Sequence, residues 1–167
     1  PEESDDEALS DESAYRRLQR IFPLPNGYNL VHKNLYKVHQ RVAVKFRKGR
    51  AFLAGDSAHV NNTVGGLGLN GGIHDAIELV DTLVEVERGG ADASLLDRYD
   101  RRRRTLNIEF VQEQTINNKK RLEERDPRAR QGRFEELRAI SQDPKRHKQF
   151  LLRTSLIESV RKARNMA

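Results

Sequence analysis

With 167 residues and a formal net charge of +6, the chain is long enough for one domain with a real core and too short for two full ones. It has no cysteine, which excludes disulfides, thiolate metal sites and thiol catalysis, and no apolar run approaches the roughly 20 residues of a membrane span. A hydrophobic content of 36% against 34% charged residues suits helices with solvated outer faces, and the acidic opening PEESDDEALSDE lacks the apolar stretch of a leader, so a cytoplasmic location is expected.

Residues 1–9 are acidic and polar and are expected to fray. A short helix follows, with Asp11 as its cap, Tyr15, Leu18, Ile21 and Phe22 at helical spacing, and Pro23 as its stop. The stretch PLPNGY is turn chemistry, in which Asn26-Gly27 can take positive φ. From Tyr36 to Phe46 the period changes to two, which predicts a half-buried strand with Gln40 as the single lapse. Lys48-Gly49 turns the chain, and RAFLAG reads as a short strand buried on both faces.

Beyond the strands the pattern is helical. Leu69, Ile73, Ala76, Ile77, Val80, Leu83 and Val84 make one apolar stripe, of the kind a helix turns towards a core, and Gly89-Gly90 ends it. Ser94 and Asp97 suggest a capping box for a second helix striped by Leu95, Leu96, Tyr99, Leu106 and Phe110. Arg103 falls near that seam and needs a carboxylate partner or a route to solvent. EERDPRARQGR breaks the pattern, and Asp143-Pro144 starts a last helix with Leu152, Leu156, Val160 and Ala163 inside. Two strands make a poor sheet, so their partners are expected from elsewhere. The arginine-rich runs have no interleaved aromatic residues to stack bases, which argues against nucleic-acid binding.

The most specific stretch is GDSAHVNNTVGGLGLNGGIHDA, residues 55–76. Its G-x-G-x-x-G, Gly66 to Gly71, starts too far from the preceding strand for a dinucleotide fingerprint, and no Lys-Ser/Thr follows for a P-loop. Two readings of the residues stand side by side. In one, Asp56 accepts hydrogen bonds from a sugar or polyol, Gly65, Gly66 and Gly68 let backbone approach a flat or charged group, and the helix after Leu67 points free N–H groups at it. In the other, the glycines form a structural turn before a core helix, with Asp56 as a cap.

GRAFLAGDSAHVNNTVGGLGLNGGIHDAIELV resembles the second FAD motif of the flavin-dependent aromatic hydroxylases of the para-hydroxybenzoate hydroxylase type. The match runs through Gly49-Arg50, Leu53 to Asp56, Ala58-His59, Gly65-Gly66, Gly68 to Asn70 and Asp75-Ala76. VHQRVAVKFRKGR resembles the last substrate-domain strand of that family, LLDRYDRRRR one of its helices, and FLLRTSLIESVRKA the C-terminal helix of some members. The resemblance implies an α+β piece, mostly helical, with one or two strands and long helices from the C-terminal part of a Rossmann-type FAD-binding domain. Residues 1–9 would be a flexible start, 10–47 the end of the substrate-domain region, and 48–167 the FAD-domain portion.

It further implies that Asp56 bonds the ribityl chain of FAD, and that Gly55, Gly66, Leu67, Gly68, Leu69 and Asn70 line the flavin site with backbone groups. Arg50 and His59 would be structural, and His74 and Asp75 would cap or pair locally on the helix flank. No metal and no catalytic residue is assigned. The complete enzyme would use NAD(P)H and O2 to hydroxylate an aromatic, phenol-like substrate. Where many relatives have proline after the histidine, this chain has Asn61, Asn62 and Thr63, so a more mobile or differently shaped loop is expected. The family's ADP-binding fingerprint belongs to an N-terminal remainder, the expected partner, without which the chain would neither hold FAD tightly nor turn over NAD(P)H. Two other possibilities stand: a separately encoded subunit completed by such a partner, and a non-enzymatic basic helical module binding nucleic acid or an acidic protein.

Overall fold

The computed structural model describes residues 3–89 and 92–166; Pro1, Glu2, Gly90, Ala91 and Ala167 lie outside the described residues, and with them part of the acidic start and the second glycine of the Gly89-Gly90 stop. The chain divides into two compact units, 1–37 and 38–167.

In the first unit, residues expected to fray form a one-turn helix, α1 (Asp5–Leu9), closed by a capping box between Ser4 and Glu7. Helix α2 (Asp11–Ile21) follows, and its cap is Ser10, whose hydroxyl accepts the Ser13 N–H, rather than Asp11. The helix stops before Pro23 as expected. The Gln19 amide closes its end by bonding both N–H and C=O of Leu24, at 2.9 and 2.8 Å. Gly27 takes φ 72° in the turn. Lys33 and Lys37 pair with Asp11 and Asp5, so the acids of the start are matched locally.

The second unit holds four two-residue strands: β1 (Arg41–Val42), β2 (Arg47–Lys48), β3 (Ala51–Phe52) and β4 (His59–Val60). They form two antiparallel pairs, β1 with β4 and β2 with β3. Lys48-Gly49 does turn the chain, with Gly49 at φ 60° inside the β2–β3 hairpin. The longer strand expected from Tyr36 to Phe46 is not formed. Alternation supplies a face but no ladder partner, so only Arg41 and Val42 are paired, and Val44 is 83% exposed. RAFLAG likewise is not a strand buried on both faces, because Ala51 and Leu53 are exposed.

The remainder is helical: α3 (Leu67–Gly89), α4 (Leu96–Leu106), α5 (Glu113–Glu123), α6 (Pro127–Gln142), α7 (Pro144–Thr154) and α8 (Ile157–Asn165). A mostly helical outline with short strands is therefore as expected. Asp92 caps the 3-10 turn that opens α4 by accepting the Ser94 N–H; Asp97 is drawn instead to Arg47, 2.7 Å away, so the Ser94–Asp97 box does not form. Between α4 and α5 the helix widens into a π-turn, Asn107–Gln112. Two Asp-Pro pairs start helices, Asp143-Pro144 as expected and Asp126-Pro127 within the stretch read as a break. The last helix is two, because Leu156 sits at φ 61° with its side chain buried.

Two clusters form the core. Phe46, Ala58 and Tyr99 pack with Val42, Ala43, Phe52 and Leu79, and the Tyr99 hydroxyl donates to the Leu53 carbonyl at 2.7 Å. Leu67, Leu106, Phe110, Val111, Leu156 and Ala163 form the other. Helix α3 is the exception to the usual rule. Its buried positions are Leu67, Gly71, Asp75 and Thr82, while Leu69, Ile73, Ile77 and Val80 are exposed, Leu69 by 76% and Val80 by 57%. The apolar stripe read from the sequence exists, but it faces away from this chain's core.

Burial holds the Tyr99 phenol well above its ordinary value, so it stays a donor at every ordinary pH. Tyr99→Phe keeps the ring packing and removes the bond to Leu53, and a loss of about 1 kcal/mol is expected. The shift of the urea midpoint measures it.

Candidate functional site

The segment between β3 and β4 is a 3-10 turn, Gly55–Ser57, made possible by Gly55 at φ 60°. Ser57 closes the turn on Ala54, with its hydroxyl accepting the Ala54 N–H at 3.2 Å and donating to the Ala54 carbonyl at 2.7 Å. The Ala58 N–H bonds the Gly55 carbonyl at 2.8 Å. Within this turn the Asp56 carboxylate is exposed and accepts no hydrogen bond among the described residues.

Below the turn lies a buried carboxylate, Asp75 on α3, which the sequence places on a helix flank with local pairing. That expectation is corrected. Asp75 is 0% exposed; one oxygen, Oδ2, accepts the Gly55 N–H at 3.0 Å and lies 2.7 Å from His59 Nε2, while Oδ1 accepts from Arg103 Nε at 2.7 Å. Burial alone would raise the Asp75 pKa, but the His59 hydrogen bond and the Arg103 guanidinium outweigh it and hold the group below the ordinary carboxylate value. An ionised carboxylate only accepts, so His59 carries its proton on Nε2. His59 is thus structural, as the resemblance implies, and Arg103 has the carboxylate partner that its place on the seam demands.

Glycine lets the turn and the helix touch. A Cβ on Gly72 would stand 3.2 Å from the Gly55 Cα, and one on Gly71 would stand 3.3 Å from His59 Cε1 and 3.4 Å from Val111. His74 is half-buried; burial first, then the Arg103 charge, lowers its pKa.

The loop after His59 is tied to its surroundings by side-chain hydrogen bonds. Asn62 Nδ2 donates to Gln40 Oε1 at 2.8 Å and to the Thr115 carbonyl at 3.0 Å, while Gln40 Nε2 reaches Gln112 Oε1 at 2.5 Å and Thr115 Oγ1 at 2.9 Å. The Val64 N–H bonds Asn62 Oδ1 at 3.1 Å. Gly65 and Gly66, at φ 103° and 64°, then lead into α3.

The first turn of α3 is Leu67, Gly68, Leu69 and Asn70. Its backbone N–H groups have no partner within the helix. Leu67 is buried in the core, Gly68 is half-buried beside Asn61, and Leu69 and Asn70 are exposed, the Asn70 amide donating to the Gly66 carbonyl at 3.0 Å. The fold therefore sets the turn carrying Gly55 and Asp56 against the helix that Gly66 to Asn70 open. Asp75, Arg103, Gln40 and Asn62, which hold these parts in place, are absent from the residues read as a site. The sequence marks two of them: Gln40 is the one lapse in the strand pattern and Arg103 the one charge on an apolar seam.

Residues 1–114 match the model of a family described as "FAD binding domain". The para-nitrophenol 4-monooxygenase of Pseudomonas sp. strain WBC-3 is 42% identical over 133 residues, which are 75% of this chain and 33% of that protein. The 6-hydroxy-3-succinoylpyridine 3-monooxygenase HspB of Pseudomonas putida S16 is 36% identical over 74% of this chain and 32% of its own length. Among solved structures, the p-nitrophenol 4-monooxygenase PnpA of Pseudomonas putida DLL-E4 superposes with a TM-score of 0.73 and 36% identity, over 92% of this chain and 40% of that one. The chain thus spans about a third of the length of these curated relatives.

Removing the buried charge tests the Asp75 centre. Asp75→Asn leaves Arg103 buried without a counter-charge, and a loss of about 3–5 kcal/mol in denaturant unfolding is expected. The pH dependence carries a sign. The folded Asp75 value is depressed, so its stabilisation is complete above the unfolded value of about 3.9 and is lost as pH falls through the folded one. Unfolding titrated from pH 6 to pH 2 should show an acid-dependent loss in the native chain that is smaller in Asp75→Asn.

Proposed function

The chain belongs to the FAD binding domain family, and on that premise we propose that it is the C-terminal part of a longer FAD- and NAD(P)H-dependent monooxygenase acting on an aromatic, phenol-like substrate. Residues 48–167 would be the end of a Rossmann-type FAD domain and residues 10–47 the end of the substrate-domain region. FAD is the family's cofactor and, when bound, supplies the redox chemistry with O2. This chain supplies binding, orientation and electrostatics.

The observation that carries the proposal is the Asp56 carboxylate, exposed and without a hydrogen bond among the described residues, on a turn held by Gly55 and Ser57. An acceptor held rigidly at the surface suits the hydroxyls of a ribityl chain. The glycine entry to α3 supports the same reading. A Cβ on Gly66 would meet nothing within 4 Å, so there is open space over the backbone for a flat ring. Unpaired N–H groups from Leu67 to Asn70 would face its polar edge, where the helix dipole favours the negative charge of a reduced flavin. Gly55 keeps the turn close to α3 and so holds Asp56 beside that helix.

The outward apolar face of α3, Leu69, Ile73, Ile77 and Val80, supports the further proposal that an N-terminal remainder packs there. It would bring the pyrophosphate half of the site. Within the complete protein, Asp56→Ala is expected to raise the FAD dissociation constant about tenfold or more, since a buried flavin hydroxyl would lose its acceptor. Flavin fluorescence titration of apoprotein reads this directly, and an unchanged affinity removes Asp56 from the site.

A further inference from the structure

The Asp56 carboxylate has no hydrogen-bond partner among the described residues, yet the residues on either side of it converge on one buried atom. Gly55, immediately before it, donates its N–H to Asp75 Oδ2 at 3.0 Å, and His59, three residues after it, brings Nε2 to the same oxygen at 2.7 Å. The other oxygen is held by Arg103 Nε at 2.7 Å, and Arg103 Nη2 reaches the Gly71 carbonyl of α3 at 3.4 Å. The side chains of His59 and Asp75 are 0% exposed and that of Arg103 is 3% exposed, so water does not compete for these bonds. Beneath the turn, Gly72 meets Gly55 backbone to backbone.

We propose that Asp75, Arg103 and His59 form a clamp that positions the Asp56 carboxylate for the cofactor, so that they act on FAD affinity without touching FAD. The proposal rests on the flavin reading given above. The chemistry requires an anion at position 75. Only a carboxylate can accept on both oxygens from three donors at once, whereas an amide would turn an N–H towards one of them. Arg103 balances that charge and, through Gly71, ties it to the helix whose start forms the other half of the site. A turn of three residues with Gly55 in a left-handed conformation has many alternatives, and fixing both flanks selects one before ligand arrives. His59 donates a hydrogen and nothing else, so its role is that of any rigid donor of the same reach.

A double-mutant cycle in the complete protein separates positioning from general stability. Asp75→Asn and Arg103→Gln are made together, so that neither buried charge is left alone, and FAD affinity is measured by fluorescence titration with and without Asp56→Ala. The clamp pair should weaken FAD about tenfold in the native background, a size typical of removing a partner behind a ligand contact. In the Asp56→Ala background it should have little further effect. Equal weakening in both backgrounds, or none in either, overturns the clamp. If Asp56→Ala alone leaves FAD affinity intact, the flavin reading fails and the clamp falls with it, a distinct outcome.

If the paired variant does not fold, His59→Gln and His59→Leu leave the Asp75–Arg103 pair in place. Gln restores a donor and should retain FAD affinity, whereas Leu should lose it to a similar extent as the clamp pair. Equal affinities for the two overturn the proposal.

Discussion

A carboxylate with no access to water organises this chain. Asp75 lies where a helix would ordinarily present leucine, and it is stable there because three donors surround it and one is a permanent cation. Each donor comes from a different place: the turn after β3, strand β4, and helix α4. The anion therefore joins elements that apolar contact alone would hold loosely. Arg103 is equally dependent, since a guanidinium on an apolar seam has no other described carboxylate within reach. Glycines at 55, 71 and 72 are the steric counterpart of this pairing, because a side chain at any of them would enter the space in which turn, imidazole and helix meet.

A second polar centre, smaller and uncharged, does similar work on the loop. Gln40, Asn62, Gln112 and Thr115 exchange amide and hydroxyl bonds between the residue before β1, the loop, the π-turn and α5. The π-turn contributes by placing Asn107, Phe110, Val111 and Gln112 together on the buried side, which a regular helix would have spread around its circumference. Asn62 thus ties the loop by side-chain bonds to Gln40 and to the Thr115 carbonyl.

The courses of α2, α3, α4 and α7 were legible from period, and the Asp143-Pro144 start and the Gly49 turn came directly from local chemistry, whereas α1, α5 and α6 were not read as helices. Strand lengths were not legible, because alternation describes a face while a ladder needs a second strand, and this chain has few to offer. The direction of α3 was also hidden. Its stripe from Leu69 to Val84 is correctly apolar, but hydrophobicity does not say whether a face turns to this chain's own core. The complementary stripe, Gly71, Asp75 and Thr82, was visible as small and polar residues at helical spacing, yet only the partners Gly55, His59 and Arg103 reveal it as an interior. Gln40 and Arg103 were noticed as exceptions to their patterns, and both exceptions proved to be contacts.

The two-sided character of α3 has a consequence for how this protein can vary. Most surface helices have a broad solvent side on which substitutions accumulate freely, and the familiar periodic pattern of tolerance arises from it. From Leu67 to Val80 this helix has scarcely any such side: one flank is committed to a charge centre and the other is apolar. The two flanks would reject different changes, one refusing greasy or bulky residues and the other refusing polar ones. A substitution profile along this stretch would then alternate in kind between the charge centre and the apolar flank.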